Sequence, residues 1–326
     1  MVIPKARAET LLEVHELSKH FGPVRAVDSL SFAVQRGEIV GLLGPNGAGK
    51  TTVMRMIVGY LIPTSGSVRL AGGDIFREGP RLKTQLGYLP ENMPLYGEMT
   101  VGEYLGMTAQ LKGLKGEPSR MAIERVVSIL GLAPVWRRPT SQLSRGYRQR
   151  VGLSQCLLTD PAILVLDEPA TGLDPNQISE LRHLIRSWRE RKAILLSTHI
   201  LAEALMLCDR VLILSRGRLV ASGTPQALSE SGDGMAATEI TIRGSRENPI
   251  AGLEGSGEIS AVRREAIGSH VIWRLEGSLN RAERLALMSH LARGGWEILE
   301  WNSGLSALEQ AFRRLTLEEG TQRQDE

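Results

Sequence analysis

The spacing of hydrophobic positions changes along this chain, and the change divides it. From Leu11 to Val34 apolar and polar residues alternate, with Leu30, Phe32 and Val34 on one face, which predicts antiparallel strands. Gln35-Arg36-Gly37-Glu38 turns into Ile39-Val40-Gly41-Leu42-Leu43, an unbroken apolar run. A strand with no polar alternation is buried on both faces, as in a parallel sheet flanked by helices. Further strands are expected at 67–70, 86–89, 163–166 and 193–197, with a closing hairpin at 211–214 and 218–221. Between them the period is helical. Thr100-x-x-Glu103 is a capping box opening a helix through about residue 111, and Pro118 opens another that carries Ile123, Val126, Val127 and Leu130 and stops at Gly131. Ser144 N-caps a helix reaching about residue 159, and Asp174-Pro175 starts the next, with Ile178, Leu181, Ile185 and Trp188 as its buried stripe. Thr224-Pro225 opens a short helix.

Ser229 to Gly234 has linker composition, and a small α+β module follows. Its strands are expected near 239–243, 270–275 and 296–301, with helices at 281–293 and, carrying Leu305, Leu308, Phe312 and Leu315, at the C-terminus. Its acids are scattered and its histidines, His270 and His290, share no motif, so it reads as an accessory or interaction domain ending in a solvated tail at 318–326. The expected organisation is a first domain at 1–228 with a helical subdomain at about 92–160, a linker at 229–238 and the accessory domain at 239–326. The chain has 326 residues, 42% hydrophobic and 23% charged, with net charge +3, which excludes a disordered chain and a strong polyanion binder. Its two cysteines, Cys156 and Cys208, lie in apolar helical patterns, as buried thiols of a reducing compartment do. The N-terminus lacks a signal-peptide core, and no segment approaches the roughly 18 apolar residues of a membrane span, so a soluble chain is expected.

The chemistry centres on Gly44-Pro45-Asn46-Gly47-Ala48-Gly49-Lys50-Thr51-Thr52. G-x-x-x-x-G-K-[ST] between a strand and a helix is a P-loop: inward N–H groups cradle phosphates, Lys50 reaches the outer phosphates, and the Thr51 hydroxyl serves Mg²⁺. The spacing of Gly44, Gly47 and Gly49 does not fit a dinucleotide fingerprint. The run 163–166 ends in Asp167-Glu168, at the strand end where ligands sit in an open parallel sheet; Asp167 fits a Mg²⁺ ligand and Glu168 the base that activates water. His199 follows a strand of the same sheet and is either structural or aimed at the γ-phosphate. Phe21 is either a core aromatic or a platform for adenine. Arg145, Arg148 and Arg150 make an exposed basic face, or flank an anion-binding helix start at Ser144 and Gly146.

The whole set, in order over roughly residues 10–228, resembles the ATP-binding cassette (ABC) ATPases: Walker A at 44–52, the signature Leu143-Ser144-Arg145-Gly146-Tyr147, Walker B at 163–168, the D-loop Thr171-Gly172-Leu173-Asp174 and the switch histidine His199. The resemblance implies an α/β P-loop NTPase core with an antiparallel β subdomain and a helical signature subdomain, here followed by the α+β domain. It implies ATP and Mg²⁺, catalysis by Lys50, Glu168 and His199, adenine stacking on Phe21, and nucleotide contacts by Asp174. Ser144 and Gly146 are then expected to grip ATP held by a second copy or a paralogous cassette. Glu91 stands where the family usually has Gln, with an oxygen still able to serve Mg²⁺ or water, and Arg145 and Tyr147 depart from the usual Leu-Ser-Gly-Gly-Gln. These departures, with Tyr88 to Asn92 and Ala307 to Phe312, resemble the gliding-motility, drug-export and nitrous-oxide-reductase-maturation branch. That branch implies a peripheral protein on the cytoplasmic face of the membrane, ATP hydrolysis coupled to export, and a separate multispanning permease docked near Leu95, Tyr96 and Tyr104, side chains that serve equally as internal core. No nucleic acid is expected. A soluble ABC ATPase switching a non-transport partner is the alternative; such members usually carry two cassettes or a long coiled coil, and about 90 residues without heptads separate Lys50 from Leu143.

Overall fold

The computed structural model describes residues 9–230, 237–244, 249, 259–267, 270–278 and 281–305. The chain forms two compact units, Met1–Thr224 and Pro225–Glu326.

The first unit opens with β1 (Thr10–Phe21) and β2 (Val24–Gln35), paired antiparallel, followed by β3 (Ile39–Leu43) and α1 (Lys50–Ile57). Next come β4 (Ser65–Leu70), β5 (Gly73–Asp74), α2 (Gly79–Lys83) and β6 (Leu86–Leu89). Three helices follow, α3 (Val101–Leu111), α4 (Gly116–Leu130) and α5 (Arg145–Leu157). Then β7 (Ile163–Leu166), α6 (Pro175–Trp188), β8 (Ala193–Thr198), α7 (Leu201–Leu207), β9 (Arg210–Ser215) and β10 (Arg218–Gly223) complete the unit.

Two sheets share one core. The antiparallel sheet runs β2-β1-β4-β5, and the six-stranded sheet runs β10-β9-β3-β8-β7-β6, parallel except for its β10 edge. All residues of β3, β7 and β8 are buried, as their unbroken apolar runs require. Leu12, Val14 and Leu30 of the first sheet pack in one cluster with Val40 and Leu212 of the second and with Met54 of α1. At about 25 cal/mol per Å² of apolar surface, such burial is the main favourable term holding the two layers together.

The helical layer starts and stops where its caps dictate. Thr100 and Glu103 form the reciprocal capping box of α3, and Gly131 ends α4 in the left-handed conformation at φ 62°. Tyr104 faces inward, 4% exposed, with its hydroxyl 3.2 Å from Gln155 Oε1, so the core alternative holds for it and it is unavailable to a permease. Tyr96 is exposed, and Trp188 is core as expected.

The second unit contains α8 (Pro225–Glu230), β11 (Ala237–Gly244), β12 (Ile259–Ile267), β13 (His270–Ser278), α9 (Arg281–Arg293) and β14 (Glu297–Leu305), with the sheet order β12-β13-β11-β14. Ile240, Ile242, Leu275, Leu287 and Leu291 form its core. Helix α8 reaches Glu230 and β11 begins at Ala237, both inside the stretch expected as a linker, whose residues 231–236 lie outside the described ones. Strand β12 was not expected, because a register shift between Arg263 and Glu265 breaks its alternation. Leu305 ends a strand instead of opening a helix, and the remainder of that expected helix lies outside the described residues.

Candidate functional site

The parallel strands end at a common edge. There the loop between β3 and α1 meets Asp167 and Glu168 after β7 and His199 after β8. Residues Gly44 to Gly49 make the loop, with Pro45 and Ala48 buried and Asn46 and Gly47 exposed, and Lys50, Thr51 and Thr52 form the first turn of α1. Lys50 is buried. Its ammonium donates to the Gly44 and Pro45 carbonyls at 2.7 and 3.0 Å and stands 3.5 Å from Glu168 Oε1.

Glu168 is 9% exposed and holds a left-handed backbone at φ 49°, a conformation that costs a non-glycine residue about 1–3 kcal/mol. Four neighbours pin it there. Its N–H donates to Ser197 Oγ at 2.8 Å, its Oε1 faces Lys50, and its Oε2 lies 2.8 Å from His199 Nδ1 and 3.3 Å from Thr171 Oγ1. An ionised carboxylate can only accept, so Nδ1 carries the imidazole hydrogen and Nε2 is left for another partner. His199 is part-exposed, on the open side of the site.

Asp167 is 1% exposed. Its Oδ1 accepts from Ser197 Oγ at 2.6 Å and lies 3.5 Å from Thr51 Oγ1, while its buried Oδ2 has no hydrogen-bond partner. Burial raises its carboxyl above the ordinary range, the neighbouring Glu168 charge adds to this, and Ser197, Thr51 and Lys50 oppose it. An unsatisfied carboxylate oxygen beside a threonine hydroxyl fits Mg²⁺, which takes one or two protein oxygens and fills its shell with substrate phosphates and water. Among the described residues no cluster of three His, Cys, Asp or Glu forms a self-sufficient metal cage.

The remaining expected residues are spread out. Phe21 ends β1 half-exposed, with the Lys19 ammonium 5.3 Å from its ring centre, so the core alternative is excluded. Glu91 follows β6, next to β7 in the sheet, and its side chain is exposed. Ser144 caps α5 by accepting from Tyr147 N, and Asp174 caps α6 by accepting from Gln177 N at 2.9 Å. No hydrogen bond joins Ser144 or Gly146 to residues 44–52 of the same chain. Sequence reasoning missed Ser197 and Thr171. A serine near the end of a buried strand beside the acidic one was the available signal for Ser197.

The sequence pattern of the family described as "ABC transporter" matches residues 27–171. Nod factor export ATP-binding protein I of Paraburkholderia xenovorans is 38% identical over 237 residues, which are 71% of this chain and 77% of that protein. This chain belongs to the ABC transporter ATP-binding family. The cassette is also 41% identical over 221 residues to the probable multidrug ABC transporter ATP-binding protein YbhF of Escherichia coli, an alignment covering 68% of the cassette chain and 38% of YbhF. The chain thus matches well under half of that longer relative. A solved ATP-binding subunit of an ABC transporter superposes on the cassette with a TM-score of 0.62 at 33% identity, over 68% of this chain and 93% of the other. The members of this family hydrolyse ATP, and in this chain Lys50 and the part-exposed His199 converge on the buried Glu168 carboxylate beside Asp167.

Proposed function

We propose that this chain is the ATP-hydrolysing subunit of an ABC exporter, paired with a second copy or a paralogous cassette and driving a separate multispanning permease from the cytoplasmic face of the membrane. The observation that carries the reading is the polar cluster at the sheet edge, in which Lys50 and His199 converge on one buried carboxylate beside the unsatisfied Asp167. Lys50 and the loop N–H groups bind the phosphates. Glu168 orients an attacking water and takes its proton, and the free Nε2 of His199 faces the γ-phosphate. Thr51 and Asp167 would hold Mg²⁺, with Glu91 contributing directly or through water; bound there, the metal neutralises charge on the phosphates. Phe21 is exposed enough to stack on adenine.

Pairing is supported by the signature, since Ser144 and Gly146 have no bond to their own P-loop and are free to complete a partner's site. Asp174 would join that shared surface from the loop before α6. Closure of two cassettes on ATP and release on hydrolysis would then drive the permease. A groove of about 460 Å³ between the core and the helical layer, lined by Tyr60, Leu86, Tyr88 and Leu111 among others, offers the permease a docking place apart from the expected Leu95, Tyr96 and Tyr104, none of which lines it. Among the described residues no helix is long and apolar enough to cross a membrane. The Nod factor export ATP-binding protein among the relatives supports the direction.

The test is hydrolysis without any added phosphate acceptor. Glu168→Gln should lower turnover by about 10²–10⁴-fold while ATP still binds. Unchanged turnover would remove Glu168 from its role.

A further inference from the structure

Four contacts fix one side of α5 to the segment that follows Glu168. Gln149 Nε2 donates to the Pro169 carbonyl at 2.7 Å, and Arg150 pairs with Glu180. A side chain at Gly146 would meet Gln177 at 2.8 Å. The guanidinium of Arg145 covers Gly172, so a Cβ built there would overlap Cζ and both terminal nitrogens. Gly172 is left-handed at φ 70°, and its neighbour Thr171 bonds back to Glu168 twice, through its N–H at 3.2 Å to the carbonyl and through its hydroxyl at 3.3 Å to Oε2.

Arg145 is costly where it stands. It is the first residue of α5, in a turn with no acidic residue, so its charge opposes the helix dipole. No hydrogen bond or ion pair to a described residue engages its guanidinium. What it gains is the contact with Gly172. We propose that Arg145 is a positioning residue for hydrolysis within its own chain: laid across Gly172, it fixes loop 169–174 and, through the Thr171 hydroxyl, the side chain of Glu168. The proposal rests on Glu168 being the base, and its test separates the two.

The experiment is steady-state ATP hydrolysis by the full chain carrying Arg145→Ala, Gly172→Ala or both. Arg145→Ala should lower kcat by about 3–10-fold with KM nearly unchanged, the mark of an interaction that matters only in the reacting state. Gly172→Ala displaces the same guanidinium, so the double variant should be no slower than Gly172→Ala alone. Losses that multiply, or an effect of Arg145→Ala on KM only, overturn the assignment. Mixed pairs give the direction. Arg145→Ala on the subunit that retains Glu168, paired with an E168Q subunit, should be slow, and moving it to the E168Q subunit should restore the rate. The opposite pattern assigns Arg145 to the partner's nucleotide and overturns the proposal. An E168Q chain that turns over normally defeats the reading of the base, whatever the Arg145 cycle gives.

Discussion

Asp167 and Glu168 are adjacent in sequence and yet differently held. Glu168 has a partner on each oxygen, whereas Asp167 keeps one oxygen dry and empty-handed. Burial therefore raises the Asp167 carboxyl above its ordinary 3.8, so the folded chain binds that proton more tightly than the unfolded chain does. Stability from this group is full below pH 3.8 and is lost as pH rises through the raised value. Asp167→Asn removes the loss: in thermal melts with EDTA the variant should be more stable than the parent near neutral pH, with the gain closing as pH falls toward 3.8. Phe21 supplies a second prediction, because it is exposed and contributes little to folding. Phe21→Ala should weaken ATP binding about tenfold, in line with about 1–3 kcal/mol for stacking of a base on an aromatic ring, while Phe21→Trp keeps it; equilibrium binding in the E168Q background reads both. The meeting of Lys50, Asp167 and Glu168 at one sheet edge was legible because each sits at a fixed place in a local motif, whereas the sequence leaves His199, alone after its strand, between a structural role and the γ-phosphate. Ser197 was not legible, since its bonds to Asp167 and Glu168 span 30 and 29 residues of chain.

At the scale of elements, local signals predicted starts and stops well. The capping box of α3, the Ser144 cap of α5 and the Asp174 cap of α6 all make their expected bonds, since a cap is chosen by residues three apart. Close approach between elements is different. Gly41 in β3 faces Cys208, the residue that ends α7, and a Cβ at Gly41 would stand 2.7 Å from the Cys208 sulfur. Gly41→Ala should then cost about 1–3 kcal/mol by overpacking, and Cys208→Ala in the same chain should recover most of it; urea denaturation measures both. The cysteine was read correctly as a buried thiol, with burial pushing it up to about 12, but the strand it touches could not be inferred from its helix. Strand β12 escaped for a related reason. Its bulge spoils the period-two pattern, and only pairing with β13 restores it.

For the whole molecule the decisive test is association. The E168Q chain saturated with ATP should double its mass by light scattering, and Ser144→Arg should keep it single. A solitary E168Q chain at all ATP concentrations, with no permease to bring two together, removes the paired reading. The sequence by itself determined the long strands and helices of the first unit, though not β5, α2 or α7, together with the phosphate loop and the identity of the acids, because glycine spacing, caps and hydrophobic period act over a few residues. Only the tertiary structure decided that β3 lies between β8 and β9, that Tyr104 turns inward while Phe21 stays out, and that Ser197 and Thr171 hold Glu168 while Arg145 lies over Gly172. Those outcomes depend on which distant segments bury each other's apolar faces, and that is a property of the packed sheet and helices together.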